Sequence, residues 1–290
     1  MKQPSHTTVL GKKPAWLKRR LPSGPAYEKI KAMVRSNELH TVCREAMCPN
    51  IWECYSSHTA TFLIMGSKCT RNCGFCSVSH GPVDLPDPDE PCRVARAASN
   101  MGLKYVVITS VTRDDLVDGG AVFFVRTIEE IRKRICEAKV EVLIPDFQGN
   151  TRALKTVVAA RPDVLNHNIE TVPRLYPTVR PQANYHQSLK LLEHAKQYDP
   201  FMPTKSGLML GLGESRDELN ETLKDLRKVG CQMLTLGQYL QPTQNHLPVV
   251  RYVRPEEFEM IKSDAFKMGF THVASGPFVR SSYHAKEFFD

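Results

Sequence analysis

From residue 59 onward the chain alternates short β-rich runs with longer amphipathic stretches six times, and this alternation restricts the fold more than any other feature. Strand candidates are TATFLIM (59–65), KYVVITS (104–110), KVEVLIPDF (139–147), DVLNHNIE (163–170), SGLMLGL (206–212) and QMLTLGQY (232–239). Helical patterns follow each in EPCRVARAASNM, FFVRTIEEIRKRICEA, TRALKTVVAA, NYHQSLKLLEHAKQY, SRDELNETLKDLRKV and PEEFEMIKSDAFKM. Ser215 and the pair Arg254-Pro255 stand where helix starts want a cap or an N1 proline. Successive strand–helix units require a parallel sheet with right-handed crossovers, so the class is α/β, either doubly wound or curled toward a barrel. In both architectures the loops after the strand C-termini build the active site. Residues 1–58 read as an N-terminal extension, 59–270 as the α/β unit and 271–290 as a C-terminal tail, with HGPVDLPDPDEP as the long irregular loop.

Of the 290 residues, 41% are hydrophobic and 24% charged, enough to expect a sizeable core. No apolar run is long enough to span a membrane, and the opening residues lack the apolar segment of a secretory signal, so the expected address is cytoplasmic. A short, basic, acid-poor opening leaves organelle targeting as the alternative. The net charge of +8 admits nucleic acid, an acidic protein partner or a well-solvated surface. Cations in EEIRKR and ELNETLKDLRK sit beside acids, as i,i+4 pairs on a wet helix face do. Lys12, Lys13, Lys18, Arg19 and Arg20 form a cluster without such partners.

Nine cysteines need explaining in a chain large enough to fold without disulfides. Cys92, Cys136 and Cys231 are scattered and read as small packed residues. The other six form two trios. Cys69, Cys73 and Cys76, spaced CxxxCxxC, occupy the loop after the first strand, where a nucleotide-binding fold would carry its glycines. That spacing lets one loop supply three corners of a 4Fe-4S cube, leaving one iron open. Zinc is the rival, although structural zinc closes four ligands. Cys43, Cys48 and Cys54, spaced CxxxxCxxxxxC, admit a zinc knuckle or buried thiols as well as a cluster.

The CxxxCxxC loop with an aromatic, Phe75, before its last cysteine resembles the radical S-adenosylmethionine (SAM) superfamily. The first trio within CREAMCPNIWEC, followed by TSVTRDDLVDGGA, EVLIPDFQG, LNHNIETVPRLYPTVRP, KSGLMLGLGE, LGQYLQP and GPFVRSSYHA, is similar almost end to end to the lipoyl synthase family. Arg44, Tyr55 and Ser67 depart from the family's usual residues, none at a ligand position.

The resemblance implies a partial (β/α)6 TIM-like barrel, two 4Fe-4S clusters and SAM as cofactors, and a sulfur-inserting transferase activity. SAM would complete the cluster held by Cys69, Cys73 and Cys76. The family's second cluster takes Cys43, Cys48, Cys54 and a serine that maps to Ser281, with Ser282 the adjacent alternative, and is consumed as the sulfur source. For SAM, the stretch Gly207 to Glu214, including Gly211 and with Met209 at its Ile place, matches the family's GxIxGxxE. Asn168 and Glu170 at the end of the fourth strand, and Ser110, Arg113 and Asp114 following the second, are further polar candidates. The implied substrate is an octanoyl chain on an acidic lipoyl carrier domain or glycine-cleavage H protein, which the basic cluster at residues 12–20 would meet. A reductant such as ferredoxin or flavodoxin is implied, and neither nucleic acid nor membrane. Another sulfur-inserting radical SAM enzyme, or a zinc-dependent nucleic-acid-binding protein, are the competing readings.

Overall fold

The computed structural model describes residues 13–18, 24–56 and 59–282. Its centre is an eight-stranded sheet in which sequence neighbours are also spatial neighbours. Six strands fall within or beside the expected runs: Thr61–Ile64, Tyr105–Ser110, Lys139–Leu143, Val164–Asn166, Thr204–Leu210 and Met233–Gln238. Each pairs in parallel with the next.

This unbroken order resolves the choice between architectures. A doubly wound sheet reverses its strand order and carries helices on both faces. Here the order never reverses, and consecutive helices pack on one another: Glu90–Asn100 on Ala121–Arg134, then Thr151–Ala159, then Tyr185–Tyr198. A single outer helical layer over a twisted parallel sheet curls it into a partial barrel.

Two strands extend the sheet beyond the expected unit. His40–Thr41, in the N-terminal extension, runs antiparallel along Thr61–Ile64. His272–Gly276 pairs in parallel with Met233–Gln238, so residues 272–276 are sheet and not tail. The run HVASG carries one bulky β-former, which is why its pattern is faint; a preformed neighbour edge holds it.

Side chains alternate between faces. Val106, Ile108, Val140 and Val142 are fully buried, while Thr109 and Leu143 face the cavity described below. One layer beneath, Glu141 accepts hydrogen bonds from Lys205 (2.9 Å), Asn166 (3.0 Å) and the Tyr105 hydroxyl (2.7 Å). Both charges of the Lys205–Glu141 pair are wholly buried, and each is offset by the other, with Asn166 and Tyr105 adding hydrogen bonds to the carboxylate.

The helix starts behave as expected at Ser215, whose hydroxyl accepts from the Glu218 amide in a capping box. Pro255 opens the last helix, with the Arg254 amide bonded to Glu257. The surface pairs Glu130–Lys133, Glu221–Lys224 and Asp225–Lys228 form at i,i+3 instead of i,i+4. Of the scattered cysteines, Cys231 is buried, Cys92 is half-buried and bonded by Arg134, and Cys136 is exposed, so only the first is a packed core residue.

Candidate active site

A cavity of about 500 Å³ lies at the C-terminal ends of the strands, lined by all six clustered cysteines and by Ser281. Exposed Lys13 and Met47 stand at its mouth. Residues from opposite ends of the chain thus share one wall.

The loop bearing Cys69, Cys73 and Cys76 is fastened at several points. Lys68–Cys69 pairs with Ser79–His80 and closes its base. The Thr70 amide and hydroxyl both donate to the Thr112 carbonyl, at 3.0 and 2.9 Å. Arg71, 6% exposed, reaches Asp114 (2.6 and 2.9 Å) and Asp146 (2.8 and 2.7 Å), tying the loop to those after the second and third strands. The Gly74 amide donates to the Val179 carbonyl, and a Cβ at Gly74 would press on Leu247 and the Thr178 carbonyl, so this approach needs glycine.

The first trio sits on two short helices. Thr41 caps Val42–Glu45 by accepting from the Arg44 amide and also meets the Tyr55 hydroxyl at 2.8 Å. Cys48 follows in a turn whose amide donates to the Cys43 carbonyl, and Cys54 lies on Ile51–Ser56. Ser77 donates to the Glu45 carbonyl, joining the two cysteine segments. Asn50 donates to the Phe278 carbonyl at 2.7 Å, drawing in the C-terminal segment that carries Ser281.

Burial and then the neighbouring Cys48 thiol push Cys43 up to about 12. Burial also lifts Cys76 to about 12, with Cys73 and Cys69 adding to it. Cys54 and Cys73 shift upward from the same leading cause. Thiols raised in this way ionise only where a bound cation offsets the charge, as metal binding does. Among the described residues no three His, Cys, Asp or Glu side chains close on one point, as a single ion requires. Thiols spread along a cavity wall fit a multi-iron cluster, each corner taking one ligand. The Cys69 sulfur already accepts amide hydrogens from Arg71 (3.4 Å) and Thr112 (3.3 Å), bonds of the kind that tune a cluster's potential.

Beyond the cysteines, Phe75, Ser110, Asn168 and Glu170 line the cavity as well. The buried Ser110 hydroxyl has no hydrogen-bond partner, leaving it available to a ligand. Asn168 donates to Glu170 at 3.1 Å and accepts from the Ser281 hydroxyl at 2.7 Å. Ser282 also lines the cavity but is taken by the Thr61 hydroxyl at 2.7 Å. Gly207 makes room for this group: a Cβ there would fall 2.6 Å from the Thr235 hydroxyl, 2.8 Å from Asn168 and 2.9 Å from Ser281.

Other expected residues lie elsewhere. Arg113 is buried and donates to Asp115 through Nε and Nη2, its Nη1 having no partner, and Asp114 pairs with Arg71; neither lines the cavity. Glu214 accepts from the Gly211 and Leu212 amides, shaping the loop; neither it nor Gly211 reaches the cavity, whereas Gly207 and Met209 do. Of the basic cluster, Lys13 lines the mouth, Lys18 is exposed, and Lys12, Arg19 and Arg20 lie outside the described residues.

The sequence reading missed Arg180. It lines the cavity, donates to the Asn168 carbonyl at 3.1 Å, and keeps a buried Nε without a partner. It is the strongest charge acting on Glu170 and on the Cys73 thiol, in both cases opposing the upward push of burial. A lone arginine between the two prolines of PTVRP carries no periodic signal; only the fold discloses its place.

Residues 63–226 match the model of the radical SAM superfamily, and residues 3–48 match that of the N-terminal domain of lipoyl synthase. The chain is 60% identical to lipoyl synthase of Desulfotalea psychrophila, covering 96% of this chain and 93% of that protein. It is 57% identical to lipoyl synthase of Rubrobacter xylanophilus, covering 95% and 86%. In fold it is similar to HydG, a maturase of the [FeFe]-hydrogenase, at a TM-score of 0.60 and 14% identity, over 86% of this chain and 63% of that one. Methylornithine synthase aligns at 0.55 and 13% identity, over 74% and 70%.

Proposed function

The chain belongs to the lipoyl synthase family of the radical SAM superfamily, and from that premise we propose that it inserts two sulfur atoms, at carbons six and eight, into a protein-bound octanoyl chain to give a lipoyl group. The observation that carries this reading is the single cavity lined by both cysteine trios and Ser281. Sulfur insertion into an unactivated chain needs a radical source and a sulfur source to face one substrate.

We assign Cys69, Cys73 and Cys76 to the SAM-binding 4Fe-4S cluster, and Cys43, Cys48, Cys54 and Ser281 to the auxiliary cluster. When bound, the first cluster with SAM supplies the hydrogen-abstracting radical and the second supplies sulfur. The chain's own residues bind, orient and exclude water. Ser110 and Asn168 offer hydrogen bonds to the polar end of SAM, and Phe75 a flat apolar face. Arg180, with its unpartnered Nε, offers a cation to a carboxylate. Leu63, Val111 and Leu143 give the octanoyl chain an apolar wall. Ser281, bonded to Asn168 here, would give the second cluster a hard oxygen ligand among soft thiolates, held less firmly than they are.

The substrate is read as octanoylated protein: a lipoyl carrier domain or glycine-cleavage H protein, guided by the basic N-terminal segment, with ferredoxin or flavodoxin as reductant. No described helix is long and apolar enough to cross a membrane, and we propose a cytoplasmic address and no nucleic-acid partner. Anaerobic incubation with SAM, a reductant and an octanoylated carrier, followed by intact mass, tests the activity. Addition of two sulfurs is expected; SAM cleavage without any sulfur gain refutes it.

A further inference from the structure

Residues 239–254, between the strand Met233–Gln238 and the helix Pro255–Lys267, form no helix or strand. A loop of this length inside a compact domain is generally a working part. Leu240, Gln241 and Pro242 line the main cavity. Beyond them the chain folds back onto the cysteine loop. The Leu247 amide donates to the Gly74 carbonyl at 3.0 Å, and His246 Nε2 lies 3.0 Å from the Cys76 carbonyl. A carbonyl only accepts, so Nε2 carries the proton. In the neutral ring Nδ1 then accepts from the Thr243 hydroxyl, 2.8 Å away, whose oxygen accepts in turn from the Asn245 amide at 3.3 Å. Gln241 donates to the His246 carbonyl at 2.8 Å and Tyr239 to the Leu247 carbonyl at 2.7 Å, so ring and backbone are both held.

What this hold secures is a joint. Cys76 lines the main cavity, and the next residue, Ser77, donates to the Glu45 carbonyl, between Cys43 and Cys48. The Cys76–Ser77 peptide is thus gripped on one side by His246 and tied on the other to the segment of the first trio. The start of the cysteine loop is fastened separately, by Thr70 to Thr112 and by Arg71 to Asp114 and Asp146. Those bonds fix Cys69 and leave the far end of the loop to this joint.

We propose that His246 is a positioning residue, which fixes the Cys76–Ser77 peptide and thereby the way the two cysteine trios face one another across the cavity; the assignment rests on the two-cluster reading above. Two sites that act on one acyl chain need their separation held constant, since a misplacement of about 1 Å can cost about a hundredfold in rate. Side chains locked by their own hydrogen bonds are what hold such a geometry.

The test compares the intact chain with His246→Ala, His246→Gln and Thr243→Val. Glutamine offers an amide N–H where the ring offers Nε2, and valine removes the exposed hydroxyl that orients the ring. Amide hydrogen exchange of the apoprotein is read first. His246→Ala should speed exchange about fivefold in peptides spanning residues 73–78 and 43–48, as loss of one hydrogen bond does, and leave Tyr105–Ser110 unchanged. His246→Gln should restore most of the protection, and Thr243→Val should fall between. In the chain carrying both clusters, His246→Ala should raise the deoxyadenosine released per sulfur inserted, whereas simple loss of folded protein lowers both together. Unchanged exchange in His246→Ala overturns the proposal, as does loosening confined to residues 73–78 or an unchanged deoxyadenosine-to-sulfur ratio. A glutamine variant as loose as the alanine one also overturns it, giving the effect to ring packing. Exchange that behaves as expected in a chain that never inserts sulfur refutes the activity and leaves the hold of His246 on the joint standing.

Discussion

At the scale of single residues, His167 shows how burial decides a charge. Its ring meets the Ile144 carbonyl at 2.9 Å and the Ser188 hydroxyl at 3.0 Å. Burial first, and Arg180 second, push its pKa down to about 4, so it is neutral in the fold. Between that value and the ordinary one near 6.5 the unfolded chain binds a proton that the folded chain does not. Its stabilising contribution is complete above about 6.5 and is lost as pH falls toward 4, by roughly 3 kcal/mol in all. Urea titrations of the apoprotein at pH 7 and pH 4.5 should show that loss, and a His167→Gln chain should show a shallower pH dependence; an identical slope in both would move the acid sensitivity elsewhere. Ser281 poses a different question, because its hydroxyl rests on Asn168 in a cavity that two clusters would share. Replacing it with Ala would remove the proposed oxygen ligand and no thiolate. The variant should keep the SAM-binding cluster and cleave SAM while losing most sulfur insertion, read by deoxyadenosine release against lipoyl mass. Loss of the SAM-binding cluster alone would contradict the ligand assignment.

At the scale of elements, Arg71 fastens the cysteine loop to two barrel loops at once. The two aspartates hold its charge more firmly than burial opposes it, and Arg71 in turn outweighs burial at Asp146 and keeps it at about 2. Removing the guanidinium leaves the buried Asp146 with the Gln148 amide but no opposite charge, a loss of about 3–5 kcal/mol in comparable pairs. Arg71→Ala should lower the urea midpoint of the apoprotein accordingly, and Arg71→Lys, which keeps the charge but not the paired donors, should recover only part; an unchanged midpoint for Arg71→Ala would show that the loop is held by its backbone bonds. The alternation of strands and helices was legible because every inner strand has two buried neighbours and so repeats a strong apolar pattern. His272–Gly276 was not, since an edge strand packs on one side only. The same contrast holds in the site. Cysteine spacing survives in the sequence because one short segment carries each trio. Arg180, and the distinction between Glu170 on the cavity and Glu214 away from it, depend on how distant loops fold back, and nothing local records that.

At the scale of the whole molecule, the cavity is closed by joining the chain's two ends across the barrel. The N-terminal extension brings three thiols and the C-terminal segment one hydroxyl, held by Asn50 to Phe278, Thr61 to Ser282 and Asn168 to Ser281. The parallel sheet is complete at Gly276, before any of these contacts. Stability and cluster assembly are therefore separable. A chain ended after Gly276 keeps every strand pair and the Cys69–Cys76 loop, but loses the serine and the tether that draws Asn50 inward. Its unfolding transition should stay cooperative and close to that of the intact chain. Anaerobic iron and sulfide analysis should fall from about eight irons per chain toward about four, the content of one remaining 4Fe-4S cluster. SAM should still be cleaved with dithionite, and no sulfur should reach the octanoyl chain. If the shortened chain kept both clusters, the cysteines of the extension would suffice alone and Ser281 would be no ligand. If it kept neither, the cysteine loop would depend on the C-terminal segment through a route that its hydrogen bonds to Thr112, Asp114 and Asp146 do not supply.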